Sequence, residues 1–124
     1  MPKTNVVFYQ NEDGTCPVLT WLREIPPKAQ MKCRVKMGRL AEMGHELRRP
    51  EADLLRDRIY ELRSTLQGVH YRLLYFFHGN TVAVVASGIV KEDRVPPAEI
   101  ERAIARKKSF EANPTKHTYA KEQI

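Results

Sequence analysis

The 124-residue sequence has few cysteines, no long apolar run and no excess of acidic side chains. Two cysteines, Cys16 and Cys33, are too few for a disulfide framework, so we expect both to be reduced. The longest apolar stretch, residues 81–90, is too short to span a bilayer, and residues 1–5 lack the apolar core of a signal peptide. The sequence therefore predicts a cytoplasmic protein without a membrane segment.

Motifs for cofactors and metals are also missing. The sequence contains no Walker loop, GxGxxG, GxSxG or paired CxxC motif. The spacing of the histidines is not that of a metal site; they are His45, His70, His78 and His117. We therefore expect neither a cofactor nor a metal ion.

Basic residues are what the sequence has in excess. Against 15 Asp and Glu stand 21 Lys and Arg, which gives a formal net charge of +6. This charge favours an anionic partner, either nucleic acid or an acidic protein. The length suits one domain, which we place at residues 1–112, followed by a polar, flexible tail at residues 113–124.

The order of elements predicts an α+β fold. A strand at residues 5–9 precedes a hairpin of two helices, about 18–24 and 27–43, which Pro26 and Pro27 separate. Three alternating runs, about 58–66, 69–78 and 81–90, predict a three-stranded antiparallel meander, and residues 99–111 predict a C-terminal helix. On the second helix, one arc predicts the core stripe: Ala29, Cys33, Met37, Leu40 and Ala41.

A neighbouring arc of the second helix is basic and contains Lys28, Lys32, Lys36 and Arg39. The more ordinary interpretation is a solvated helix face. The sharper interpretation is a stripe that faces phosphates.

The meander places polar side chains on one face of the sheet. If both turns have two residues, Arg63 lies opposite Arg72, and Arg72 lies opposite Ser87 on its other side. Alternation then predicts one polar face: Glu61, Arg63, Thr65, His70, Arg72, Ser87 and Lys91. The face toward the helix hairpin is predicted to carry Tyr60, Leu62, Tyr71, Leu73, Tyr75, Phe77, Val82, Val84 and Ala86. Four apolar residues are predicted on the same face as the polar ones, where either the last helix or a partner would cover them: Leu74, Phe76, Ala83 and Val85.

Two arginines directly opposite each other repel, so the pair of Arg63 and Arg72 has two interpretations. Either an anion binds between them, or Glu61 and other carboxylates neutralise them in an ion-pair network. His70 alone would be an ordinary half-buried histidine, but beside these cations it becomes a candidate acid or base.

Four segments together resemble toxins of the RelE/ParE superfamily, specifically the phage-related HigB-like branch. They are IYELR at 59–63, YRLLYFF at 71–77, GIVKE at 88–92 and PPAEIERA at 96–103, within a match over about residues 52–110. The resemblance implies a RelE-like fold and a toxin of a type II toxin-antitoxin system. It also implies metal-independent cleavage of mRNA, usually on the ribosome, and silencing by a cognate helix-turn-helix antitoxin.

By motif, the resemblance assigns the basic catalytic cluster to Arg63, Arg72 and Lys91, to which we add His70. The predicted RNA-binding residues are Lys28, Lys32, Lys36, Arg39 and Arg94. The chain departs from the family pattern at Ile89, Glu92 and Phe110, and Phe110 cannot transfer a proton. The general base therefore stays open among His70, Lys91 and Glu92.

Two other functions remain open at this point. A toxin of the same fold could poison DNA gyrase, as members of the ParE branch do. Alternatively, the chain could be a nucleic-acid-binding module, or an inactive remnant, whose basic face binds without cutting.

Overall fold

The computed structural model describes residues 3–90 and 93–119 and has the predicted α+β architecture. Its elements are β1 (Asn5–Tyr9), α1 (Pro17–Glu24), α2 (Pro27–Met43), a 3-10 turn (Gly44–Glu46), β2 (Ala52–Arg56), β3 (Ile59–Leu66), β4 (Val69–His78), β5 (Val82–Val90), α3 (Pro97–Ala112), α4 (Pro114–His117) and β6 (Thr118–Tyr119). The strands form one sheet in the order β2-β3-β4-β5-β1-β6, with β1 parallel to β5. The helix hairpin, the meander and the C-terminal helix are confirmed.

The sheet is covered on both faces. The hairpin of α1 and α2 packs on one face through the predicted stripe, in which Ala29, Cys33, Met37 and Leu40 are fully buried. On the other face, α3 contributes Ile100, Ala103 and Phe110 to a second apolar cluster. Each face of the sheet therefore has its own apolar layer.

Contact between α1 and β5 depends on a glycine. A Cβ atom built at Gly88 would lie 2.2 Å from the indole ring of Trp21. Any side chain there would displace the indole, so Gly88 allows α1 to lie directly on β5. This position is the first residue of the GIVKE segment.

The turn between β3 and β4 has the predicted two residues, Gln67 and Gly68, with φ angles of +52° and +80°. Positive φ at both central positions suits the twist of a tight hairpin. Arg63 therefore pairs with Arg72, and Thr65 with His70, as the sequence predicts.

Pairing between β4 and β5 differs from the prediction in two places. The loop has three residues, 79–81, so that His78 pairs with Val82. The register then shifts again, since Leu74 pairs with Ser87 whereas Tyr75 pairs with Val85, which leaves Ala86 as a bulge. Arg72 consequently lies opposite Ile89, and the prediction that it faces Ser87 is wrong.

The longer loop also exchanges the faces of the first half of β5, because a shift of one residue inverts the side-chain alternation. Val82, Val84 and Ala86 lie in the α3 cluster, so their predicted place under the hairpin is wrong. Ala83 and Val85 occupy that place. The bulge restores the alternation beyond it. Leu74 and Phe76 are covered by α3, so the last helix, and not a partner protein, covers them.

Strand β2 is absent from the sequence-based prediction. It pairs with β3 through a turn at Asp57 and Arg58, whose φ angles are +50° and +63°. Arginine is an unusual residue for left-handed backbone, so of the two turn residues only Asp57 is an ordinary turn signal. This edge strand supplies one wall of the site described below.

Residues 113–119, which the sequence assigns to a loose tail, lie against β1. β6 pairs with β1, and Nδ1–H of the buried His117 donates a 2.8 Å hydrogen bond to the carbonyl of Gln10 while its ring stacks on Tyr9. This part of the predicted tail is therefore packed, and residues 120–124 lie outside the described part of the chain. None of the helices in the described residues is long and apolar enough to cross a membrane.

Candidate functional site

An open cleft of about 510 Å³ lies on the sheet face beside the start of α3. Its wall is formed by β2, by the middle of β3 and β4, and by the segment before α3. The polar residues that line it are Asp53, Arg56, Glu61, Arg63, His70, Arg72, Asp93 and Arg94. Leu55, Val95 and Ile100 complete the lining. We call this the arginine cleft.

At its centre, one carboxylate binds both opposed arginines. Arg63 Nη2 lies 2.6 Å from Glu61 Oε1, and Arg72 Nη1 lies 3.4 Å from Glu61 Oε2. The neutralising ion pair that the sequence analysis considered is thus present. Two guanidinium groups share one carboxylate, so the trio retains a positive charge.

The two arginines differ in their access to solvent. The side chain of Arg72 is 5% exposed, whereas that of Arg63 is 38% exposed. The Nε atoms of both are buried and have no hydrogen-bond partner among the described residues. A buried donor without a protein partner is costly, so each of these Nε groups needs a partner such as an ordered water or an ion. Arg63 is the more accessible of the two for an anion.

His70 lies on the rim of the cleft, half-buried, opposite Thr65. Its Nδ1 atom is 2.9 Å from Thr65 Oγ1. This contact fixes the orientation of the ring and leaves Nε2 as the ring nitrogen available for a ligand proton. The cross-strand row predicted from the sequence therefore positions a histidine beside the arginine pair.

The cleft is only slightly basic. It is lined by four arginines and three carboxylates, so an excess of one positive charge remains when the histidine is neutral. Arg56 is bound by Asp57 and Glu101. The predicted RNA-binding residue Arg94 does lie in the cleft. Lys91, predicted to be catalytic, and Glu92 fall outside the described residues.

Residues 20–108 match the family model described as Phage derived protein Gp49-like (DUF891). The chain belongs to this Gp49-like family. The family is one of RelE/HigB-like toxins, is associated with toxin nucleases of toxin-antitoxin systems, and implies an antitoxin partner. No curated protein sequence matches the chain significantly.

The basic arc of α2 lies outside the arginine cleft of this Gp49-like chain. Glu51 accepts contacts from Lys36 Nζ at 3.1 Å and from Arg39 Nη2 at 3.2 Å. These contacts lower the pKa of the Glu51 carboxyl below its usual value, first through the hydrogen bond from Arg39 and then through that from Lys36. Lys28 and Lys32 are exposed. The arc is therefore partly neutralised, and its outer half is solvated.

One polar contact of the Gp49-like fold was missed by the sequence analysis. Arg106 of α3 donates hydrogen bonds to the carbonyl of Ala86 at 2.8 Å and to Ser87 Oγ at 2.7 Å, which holds the bulge of β5. Burial lowers the pKa of its guanidinium. Its helical position carried no signal, because the bulge that it binds appears only in the folded sheet.

Other candidates for chemistry are buried in apolar layers. Phe110 packs edge-on against Phe76 and has no access to the cleft. Burial raises the pKa of the Cys33 thiol to about 11, so this cysteine is not an activated nucleophile. Within residues 3–90 and 93–119, no group of three or more His, Cys, Asp or Glu is placed to hold a metal ion.

Proposed function

We propose that this protein is the toxin of a type II toxin-antitoxin system and that it cleaves mRNA without a metal ion. The observation that carries the proposal is the opposed pair of Arg63 and Arg72, which share one carboxylate on an open cleft beside His70. Membership of a family of nuclease-associated toxins supports the same reaction class.

The proposed reaction is an attack by the ribose 2′-hydroxyl on the adjacent phosphorus. A base takes the proton of the 2′-hydroxyl, the new bond closes a 2′,3′-cyclic phosphate, and the 5′-oxygen of the next nucleotide leaves with a proton. Negative charge builds on the phosphate oxygens during the attack. A fixed guanidinium stabilises this charge without having to reorganise.

The side chains suggest a division of these roles. Arg63 is exposed enough to contact a phosphate oxygen, and the buried Arg72 adds positive charge from behind it. His70, whose Nδ1 is occupied by Thr65, is placed to exchange a proton through Nε2. Lys91 completes the proposed catalytic set. Arg94 is proposed to hold the RNA in the same cleft, and the α2 arc to hold flanking phosphates.

Partners and location follow from the reaction. The substrate is mRNA, which we propose is bound on the ribosome, so the working place is the cytoplasm. The antitoxin is proposed to be a helix-turn-helix protein that the neighbouring gene encodes. It silences the toxin until the antitoxin is lost.

The test uses purified protein and naked RNA in EDTA, because ribosomes themselves need magnesium. We expect cleavage products with 2′,3′-cyclic phosphate ends and a loss of cleavage in Arg72→Ala. Lys108→Ala, a change of an exposed lysine on α3, is the matched control. Activity that EDTA abolishes and a divalent ion restores would refute the mechanism.

A binding function without cleavage is the second candidate, and Glu61 is the observation that favours it. A carboxylate that already neutralises both arginines reduces the need for a phosphate between them. In that case RNA would bind with a strong salt dependence and remain intact. A parallel assay with gyrase and supercoiled plasmid tests the ParE-like alternative.

A further inference from the structure

A second groove, of about 670 Å³, adjoins the arginine cleft. One wall is the outer face of α2, with Met31, Lys32, Val35 and Lys36, and the other includes Arg63 and His70. Its volume lies within the range of about 300–1,000 Å³ that is typical of ligand pockets. We call it the α2 groove.

The apolar side chains of the α2 groove are unusually exposed. Met31 is 68% exposed and Val35 is 60% exposed. Four residues apart on a helix, they are neighbours and form one apolar strip rather than two isolated contacts. A strip of this kind, next to a well-packed core, indicates a surface that contacts a ligand.

Positive charge flanks this strip. Lys32 makes no ion pair with any residue in the described ranges, Lys36 lies 3.1 Å from Glu51, and Arg63 retains a 38% exposed side chain. Among residues 3–90 and 93–119, no carboxylate lines the groove. Apolar atoms between cations suit a ligand with flat, weakly polar faces and a negative backbone, which is the chemistry of a nucleotide.

The α2 groove and the arginine cleft share two residues, Arg63 and His70. A phosphate bound at Arg63 would therefore lie at the junction of the two spaces, and the chain attached to it would continue into the groove. We infer that the α2 groove binds the base of the nucleotide next to the scissile phosphate. Met31 and Val35 contact the base, and Lys32 binds the following phosphate. This inference rests on the proposed RNA cleavage.

An acidic peptide is the competing occupant, because it could also use the apolar strip and the lysines. The shared residues favour RNA, since a phosphate bound at Arg63 would place the adjoining nucleotide beside the α2 groove. Two of the proposed catalytic groups, Arg63 and His70, lie on the wall of the groove itself. RNA and an acidic peptide can be distinguished by changing Met31 and Val35, because only an RNA occupant would make the change alter the kinetics of RNA cleavage.

The experiment compares the wild type with Met31→Ala/Val35→Ala in steady-state cleavage. The substrates are short single-stranded RNAs that differ only in the bases beside the cleaved bond. We expect KM to rise about tenfold with little change in kcat, because the base is bound equally in the ground and transition states. We also expect the preference among the four bases to become flatter. Leu54→Ala, a change of a 53% exposed leucine outside the groove, is the control and should change neither quantity.

Unchanged KM and unchanged base preference in the double variant would overturn the inference while leaving the proposed cleavage intact. Unchanged RNA kinetics, combined with a loss of protection by the co-expressed antitoxin, would assign the groove to the protein partner instead. If the wild type binds RNA but does not cut it, fluorescence anisotropy replaces kinetics, and about tenfold weaker binding by the double variant supports the groove alone. A wild type that neither binds nor cuts RNA overturns both proposals.

Discussion

Two glutamates in this protein each bind two cations, but in different surroundings. Glu61 joins Arg63 and Arg72 on the sheet with a side chain that is 3% exposed. Glu51 joins Lys36 and Arg39 on the surface of α2 with a side chain that is 22% exposed. The two clusters are neighbours, since the backbone N–H of Arg63 donates a 2.9 Å hydrogen bond to the backbone carbonyl of Glu51.

The two clusters differ in how much water reaches their charged groups. Water around Glu51 can solvate its cations if the carboxylate is lost, so this cluster contributes little to folding and is screened by salt. Around Glu61, Arg72 is nearly excluded from water, so the charges depend on one another and act strongly on whatever enters the cleft. Burial therefore separates a site from an ordinary surface ion pair.

The largest contrast is expected in activity. Arg72→Ala should lower the rate of RNA cleavage by about 10²- to 10³-fold, because a preorganised charge is removed from the site. Arg39→Ala, at the surface cluster, should lower it by less than about tenfold, since it removes only a flanking phosphate contact. Growth arrest at matched soluble levels measures the same order in cells. Full toxicity of Arg72→Ala would remove this residue from the site.

In the proposed mechanism, His70 transfers a proton beside the Glu61 cluster, whereas the Glu51 cluster is assigned no such group. His70→Ala should lower cleavage by about 10²-fold and alter the shape of the pH–rate profile, because it removes the proposed proton-transfer group. Lys36→Ala should leave the shape of that profile unchanged. The measurement is the cleavage rate on naked RNA as a function of pH. An unaltered profile in His70→Ala would move the base to Lys91 or Glu92.

Stability should separate the two glutamates directly. Glu61→Gln leaves the buried Arg72 without a counter-charge and should lower the free energy of unfolding by about 3 kcal/mol. Glu51→Gln should lower it by less than about 1 kcal/mol. Urea titrations of both variants at neutral pH make the comparison. Equal losses would mean that the burial of Glu61 has no energetic consequence.

Arg72→Ala is informative in the same titration. Repulsion between opposed arginines, considered without their surroundings, predicts equal or slightly higher stability for the variant. Because Glu61 binds Arg72 in a buried position, we expect a lower free energy of unfolding instead. The loss should be smaller than for Glu61→Gln, since Glu61 would keep its contact with Arg63.

The smallest expected effect is a loss of folding stability at acid pH. The lowered pKa of Glu51 means that its ion pairs stabilise the fold above the ordinary value of 4.5 and that this contribution disappears as the pH falls through the folded pKa. The wild type should therefore lose its advantage over Glu51→Gln below about pH 4.5, by less than about 1 kcal/mol. Thermal melts between about pH 3 and pH 6 measure it. Added salt should shrink the difference.

The arginine pair could be predicted because only one short turn separates its two strands. Gln67 and Gly68 accept the positive φ of a two-residue turn, and every pair between β3 and β4 follows from that turn. The same rule gave the wrong pairing for the hairpin of β4 and β5. Gly79 and Asn80 resemble a two-residue turn, but the loop includes Thr81, and a bulge at Ala86 then compensates for it.

β2 and its contribution to the cleft could not be predicted in this way. Its turn uses Arg58 in left-handed backbone, which a scan for glycine or asparagine passes over. The strand itself is short and alternates only weakly in burial. Asp53 and Arg56, which line the cleft, were therefore missed along with it.

By itself, the sequence determined the class of the fold, the pairing of Arg63 with Arg72 and the basic character of the chain, because these depend on local periodicity, turn residues and composition. Only the tertiary structure decided that Glu61 is buried between the arginines, that Arg72 lies opposite Ile89 and not Ser87, and that the α2 groove meets the cleft. Burial, bulges and the meeting of distant surfaces depend on how whole layers pack, and no short stretch of sequence contains that information.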